Sequence, residues 1–170
     1  METVSRHEAE RDARELREDV RRRDSRVAQL PVDPIRIAGA LGIEVFTARM
    51  RAGVSGTLSK TAGEDPTIYL NRYDSENRQR FTCAHELGHY VRRTAQGDLD
   101  YDFVDARNKL ASTGRDPEEI YANQFAAELL MPAALVKQEH KRGAGPVRLA
   151  LRFGVSDDAM GYRLDTLGLA

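Results

Sequence analysis

Two histidines stand four residues apart in the stretch FTCAHELGHY, residues 81–90, with a glutamate directly after the first. On a helix, positions i and i+4 share a face, so His85 and His89 can present two imidazoles to one cation. Glu86 points about a quarter-turn away, near enough to reach a water on that cation rather than the cation itself. This is zinc-hydrolase chemistry: the ion lowers the pKa of its water to about 7, and the glutamate takes the proton and later passes it to a leaving amine. Chance supplies only about 0.01 such patterns in a chain with four histidines. An ordinary surface helix fits the stretch poorly. Phe81, Ala84 and Leu87 give it a buried side. Gly88 costs a helix about 1 kcal/mol relative to Ala, which implies that something large approaches closely there. Cys83 falls on another side of the helix and reads as a small buried residue.

A catalytic zinc needs a third protein ligand and an open position. His7 lies in a charged segment, and His140 sits in KQEHKR, which reads as a solvated helix end. The better candidates are Glu118 and Glu119, which open the helix DPEEIYANQFAAELLMP behind an Asp116 cap. Glutamates in a first turn are ordinary on helix-dipole grounds alone. Asn123, four residues after Glu119 and on its face, can hydrogen-bond behind a metal ligand. That favours Glu119 and leaves Glu118 as the alternative.

The elements that must hold these groups read as follows. Asp33 caps a short helix over PIRIAGAL with Pro34 in its first turn, and Gly42 ends it. Strands are expected at 43–50, 54–60 and 67–71, separated by turn-like stretches. A helix follows over 75–93 with Ser75 as N-cap, and 94–115 read as irregular. A strong helix starts at Pro117 and breaks at Met131-Pro132. Another helical stretch, a hinge at Gly143 and Gly145, and two short helices around FGVS close the chain. The expected fold class is α+β, with a small, mostly antiparallel three-stranded sheet beside the HExxH helix.

Residues 1–26 carry eight Arg against eight Asp plus Glu, and read as a solvated single-faced helix or frayed arm, with a docking arm for a partner as the alternative. The domain expectation is a charged helical arm at 1–29, a peptidase domain at 30–142 and a C-terminal helical segment at 143–170. The net charge of −1 gives no basic field for nucleic acid or an anionic membrane. A single cysteine excludes an internal disulfide framework. Without a signal-like or membrane-length apolar run, a cytoplasmic location is expected.

QRFTCAHELGHY followed by EIYANQFAAELLMP resembles the ImmA/IrrE family of metallopeptidases, whose pattern is a HExxH helix and then Glu-x-x-Ala-Asn-x-Phe-Ala-x-x-Leu-Leu-Met-Pro. LPVDPIRIAGALGIEV, GVSGTL, TIYLN and LRFGVSDDAMGYRLDTLGL extend the resemblance to about residues 30–169, leaving 1–26 outside it. The resemblance implies that His85, His89 and Glu119 ligate Zn2+, with Mn2+ as an alternative, and that Glu86 is the catalytic base. It also implies a thermolysin-like core, in which a sheet edge holds an extended substrate above the HExxH helix. TIYLN or VSGTL is expected to supply that edge by β-strand addition. The implied substrate is a helix-turn-helix repressor of the XRE type, encoded separately, whose cleavage relieves repression of mobile-element, prophage or stress-response genes. Tyr90, Tyr101, Tyr121 and His140 are candidates for stabilising the developing oxyanion, with no choice among them.

ALRFGVSDDAMGYRLDTLGL itself looks like a helix-turn-helix. Residues 145–170 hold three Arg and three Asp, and Asp157 and Asp158 open the would-be recognition helix. Both facts weigh against direct DNA binding and toward packing or repressor docking. The alternative to an endopeptidase is a metal-containing module that sequesters a repressor without cutting it. Glu86 favours the enzyme, because binding alone needs no base.

Overall fold

The computed structural model describes residues 2–61, 63–97, 103–108 and 116–170. Helix α1 (Glu2–Arg23) leads through a 3-10 turn (Ser25–Ala28) to α2 (Pro34–Ala40). Asp33 caps α2 as expected, accepting from the Ile35 and Arg36 N–H groups at 3.0 and 3.3 Å. Strands β1 (Glu44–Ala48), β2 (Val54–Lys60) and β3 (Thr67–Asn71) follow. Helix α3 (Glu76–Gln96) starts at the Ser75 hydroxyl, which accepts from Arg78 N–H at 3.3 Å, and ends at Gly97 with φ 73°. Strand β4 (Phe103–Asn108) precedes α4 (Pro117–Leu130), whose Asp116 cap accepts from Glu118 N–H at 3.0 Å. Helices α5 (Ala133–Lys141), α6 (Pro146–Phe153) and α7 (Asp157–Thr166) complete the described elements.

The fold is α+β, but the sheet differs from the sequence expectation. Among the described residues it has four strands, in the order β1-β3-β2-β4. The fourth comes from FVDARN, inside the stretch read as irregular. Strand β2 is antiparallel to both β3 and β4, with Leu58 opposite Ile68 and Asp105. Strand β1 runs parallel to β3, with Val45 opposite Ile68, so the sheet is mixed. The reason is topological: β2 folds back along one side of β3, and β1 takes the other side in the direction β3 already runs. Strands β2 and β3 are therefore both interior. The expected substrate edge does not fall on TIYLN or VSGTL; among the described strands the edges are β1 and β4.

One sheet face buries Leu58, Ile68 and Leu70, while the other exposes Phe46 and Tyr69 with ring centroids 6.1 Å apart. Helix α3 lies between this sheet and α4, and a glycine admits it on each side. A Cβ on Gly56 of β2 would sit 2.3 Å from Thr82 Cγ2 of α3. A Cβ on Gly88 of α3 would sit 3.0 Å from Ala122 Cα and 3.2 Å from Phe125 Cβ of α4. The close approach that Gly88 implies is thus the backbone of α4.

Helix α1 is a single-faced helix, and its apolar face is covered. Ala9, Ala13 and Val20 are fully or almost fully buried in the common core. Arg163 of α7 is buried against Glu128 of α4; its Nε also donates to Met131 O at 3.0 Å, and its Nη1 donates to Glu10 of α1 at 3.4 Å. Arg80 of α3 seats the α6–α7 turn by donating to Gly154 O at 3.0 Å and Val32 O at 2.6 Å. Among the described residues, no helix is long and apolar enough to cross a membrane.

Candidate metal centre

Helices α3 and α4 meet at Gly88, and the residues around that contact converge. His85 and His89 project from successive turns of α3, their rings 4.7 Å apart at 76°. Their Nε2 atoms are 3.1 Å apart. Glu119, in the first turn of α4, brings Oε1 to 3.1 Å from His89 Nε2 and Oε2 to 3.4 Å from His85 Nε2. Behind the pair, His85 Nδ1 lies 3.0 Å from Asn123 Oδ1. The carbonyl oxygen of Asn123 can only accept, so Nδ1 carries the proton and Nε2 keeps its lone pair toward the common centre.

These separations suit a small cation. Ligands held at 2.0–2.1 Å in a tetrahedron stand about 3.3–3.4 Å apart. Two imidazole nitrogens and a carboxylate, mutually 3.1–3.4 Å apart, form such a face. Among the described residues, His85, His89 and Glu119 are the group of this kind able to hold a metal ion. When the two imidazoles are protonated, hydrogen bonds from His85 and then His89 hold the Glu119 carboxyl well below the usual carboxylate range. His85 and Glu86 are fully buried, whereas Glu119 keeps 17% of its side chain exposed. The centre therefore rests on a closed floor on α3, with Glu119 its more exposed member.

A family model, Peptidase_M78, the IrrE N-terminal-like domain, matches residues 38–165. The chain belongs to this family. Membership makes it a metallopeptidase of the ImmA/IrrE type, and the resemblance read from its two motifs holds. No curated protein matches the chain. The IrrE-like match spans α3, α4 and the centre between them, and leaves α1 outside.

Glu118 does not join the IrrE-like centre. Its carboxylate turns to Arg92, 3.5 Å away, while its neighbour Glu119 meets the histidines. Of the oxyanion candidates, Tyr121 is fully buried and donates its hydroxyl to Asp12 of α1 at 2.7 Å. Tyr90 lines a groove between α3 and α1, beside Glu8 and Asp12. His140 sits in the last turn of α5. Tyr101 lies outside the described residues. Cys83 is buried, and burial pushes its thiol far up, so it packs as a hydrophobe.

Sequence reasoning misses Arg92 and Asp12. Arg92 is three residues past His89, so its helical phase is the available signal. Asp12 carries none, because its partner Tyr121 is 109 residues away.

Proposed function

We propose that this protein is a zinc-dependent endopeptidase that cleaves a separately encoded helix-turn-helix repressor in the cytoplasm and so relieves repression. The observation that carries the reading is the convergence of His85, His89 and Glu119, mutually 3.1–3.4 Å apart, beside the buried Glu86. His85, His89 and Glu119 are the proposed ligands; two imidazoles and a carboxylate suit Zn2+ and also accept Mn2+. When bound, the ion supplies Lewis acidity and an acidified water. Asn123 orients His85 and fixes its tautomer. Glu86 takes the proton from the attacking water on its carboxylate and returns it to the departing amine.

Strand β4 is the proposed substrate edge. Among the described strands it lies at the sheet edge, joined to β2, whose Gly56 rests on α3. An extended peptide can add there through main-chain hydrogen bonds. Helices α6 and α7 are proposed to dock the repressor; exposed Val147, Leu151 and Tyr162 favour a protein contact over DNA. Residues 30–142 then form the catalytic unit and 143–170 the docking segment.

The test uses zinc-loaded protein and the helix-turn-helix repressor encoded beside it. Wild type should cut the repressor at a defined bond, while Glu86→Gln should bind but not cut. Equal relief of repression by Glu86→Gln would establish sequestration instead.

A further inference from the structure

Helix α1 lies outside the matched family region, yet its side chains reach the two helices that carry the metal centre. Arg92, one turn past His89 on α3, donates Nη1 to Glu8 of α1 at 2.9 Å. Its Nε faces Glu118 of α4 at 3.5 Å. Its guanidinium carbon stands 4.9 Å over the ring of Tyr121, also on α4. The Tyr121 hydroxyl completes the circuit by donating to Asp12 of α1 at 2.7 Å. Glu118 precedes Glu119, and Tyr121 follows it by two residues. The polar circuit therefore holds α4 on both sides of the third donor.

The position of α4 matters because Glu119 must face two imidazoles at once. A slide of one residue along α4 moves its carboxylate by about 1.5 Å and turns it by about 100°. Metal sites tolerate only about 0.2 Å in bond length. The Gly88–Ala122 contact sets how near the helices come, but an apolar contact has little directional preference. Directional restraint comes from charge-assisted hydrogen bonds and the aromatic stack. Ala9 and Ala13 are buried on α1, and small residues there let its backbone lie close enough for Glu8 and Asp12 to reach across.

We propose that Glu8 and Asp12 of α1, acting through Arg92 and Tyr121, are positioning residues that set Glu119 for metal binding. The proposal rests on the metal reading above and adds a segment outside the family match to the centre's support.

The experiment measures zinc affinity of the full chain by competition with a chelating dye. It also records the visible spectrum of the Co2+ form and the thermal midpoint of the metal-free form. The variants are Tyr121→Phe, Arg92→Met and Arg92→Lys. Arg152→Met is the control, breaking a 3.0 Å ion pair with Glu139 on α5. Tyr121→Phe and Arg92→Met should each weaken zinc binding by about tenfold and alter the Co2+ spectrum. Arg92→Lys should recover part of the loss, and the control should bind as wild type does. The metal-free midpoints of Tyr121→Phe and Arg92→Met should fall no further than that of the control. Zinc affinity within twofold of wild type for both variants overturns the proposal, as does a loss matched by the control. If Arg92→Met does not fold, Tyr121→Phe, which deletes one oxygen, decides. Wild type that binds no zinc defeats the metal reading and the proposal with it; tight wild-type binding with unchanged variants defeats only the proposal.

Discussion

Helix α4 carries a carboxylate near each end, and the fold treats them in opposite ways. Glu119 in the first turn faces two imidazoles across 3.1–3.4 Å and stays partly open to solvent. Its carboxyl is held low by His85 and His89 when these are protonated. Glu128 in the last turn is sealed at 2% exposure against Arg163, with Arg14 at 3.6 Å. Burial raises its pKa even though Arg163 opposes the shift. One end gathers lone pairs around a space sized for an ion. The other end neutralises its charge within the protein. A buried acid is thus evidence for a metal only when its partners are themselves donors of lone pairs; a guanidinium, with no lone pair to give, marks a structural tie.

The contrast breaks if the two ends respond alike to mutation. Glu119→Ala should weaken zinc binding on the order of a thousandfold, a fraction of the roughly 10–16 kcal/mol that zinc sites reach, and chelator competition measures it. The metal-free variant should unfold near the wild-type temperature. Glu128→Ala should do the reverse. Leaving Arg163 buried without its main counter-charge should cost about 3–5 kcal/mol in denaturant unfolding, while the folded fraction still binds zinc. Replacing both Glu128 and Arg163 with Met should recover much of that loss.

A finer distinction comes from Asn123. Asn123→Ala should cost about tenfold in zinc affinity by releasing the His85 tautomer, with little change in unfolding. Unchanged affinity would remove Asn123 from the centre's support. The smallest expected effect is on pH dependence. Glu128 has its folded pKa raised above the ordinary 4.5, so the folded state holds its proton more tightly. Its contribution to stability is present below that value and is lost as pH rises through the folded pKa. Glu128→Gln should remove this slope from the pH profile of the unfolding free energy, and an unchanged slope would place its origin elsewhere.

The two ends of α4 also differ in how far the sequence reveals them. His85, Glu86 and His89 are legible because one helical turn sets their geometry. Glu119 is legible through its cap, its phase with Asn123 and a family pattern. Asp33, Ser75 and Asp116 mark helix starts because capping is local chemistry. The Glu128–Arg163 tie is not legible, since 35 residues separate two charges that each look solvated. Helix α1 hides its packing for another reason: Ala9 and Ala13 bury a face without adding a hydrophobic signal. Strand β4 hides because FVDARN alternates weakly and carries two charges. Strand order hides because pairing is decided between segments, which is why β2 and β3 turned out to be interior.

The central claim is that His85, His89 and Glu119 hold one catalytic zinc ion. Anomalous diffraction at the zinc edge, from crystals of zinc-loaded protein, tests it most directly. The expected result is a single peak within about 2.0–2.1 Å of both Nε2 atoms and within about 2.0–2.2 Å of a Glu119 oxygen, with Glu86 outside the ligand set. A peak elsewhere, such as at His140, or no peak between α3 and α4, would contradict it.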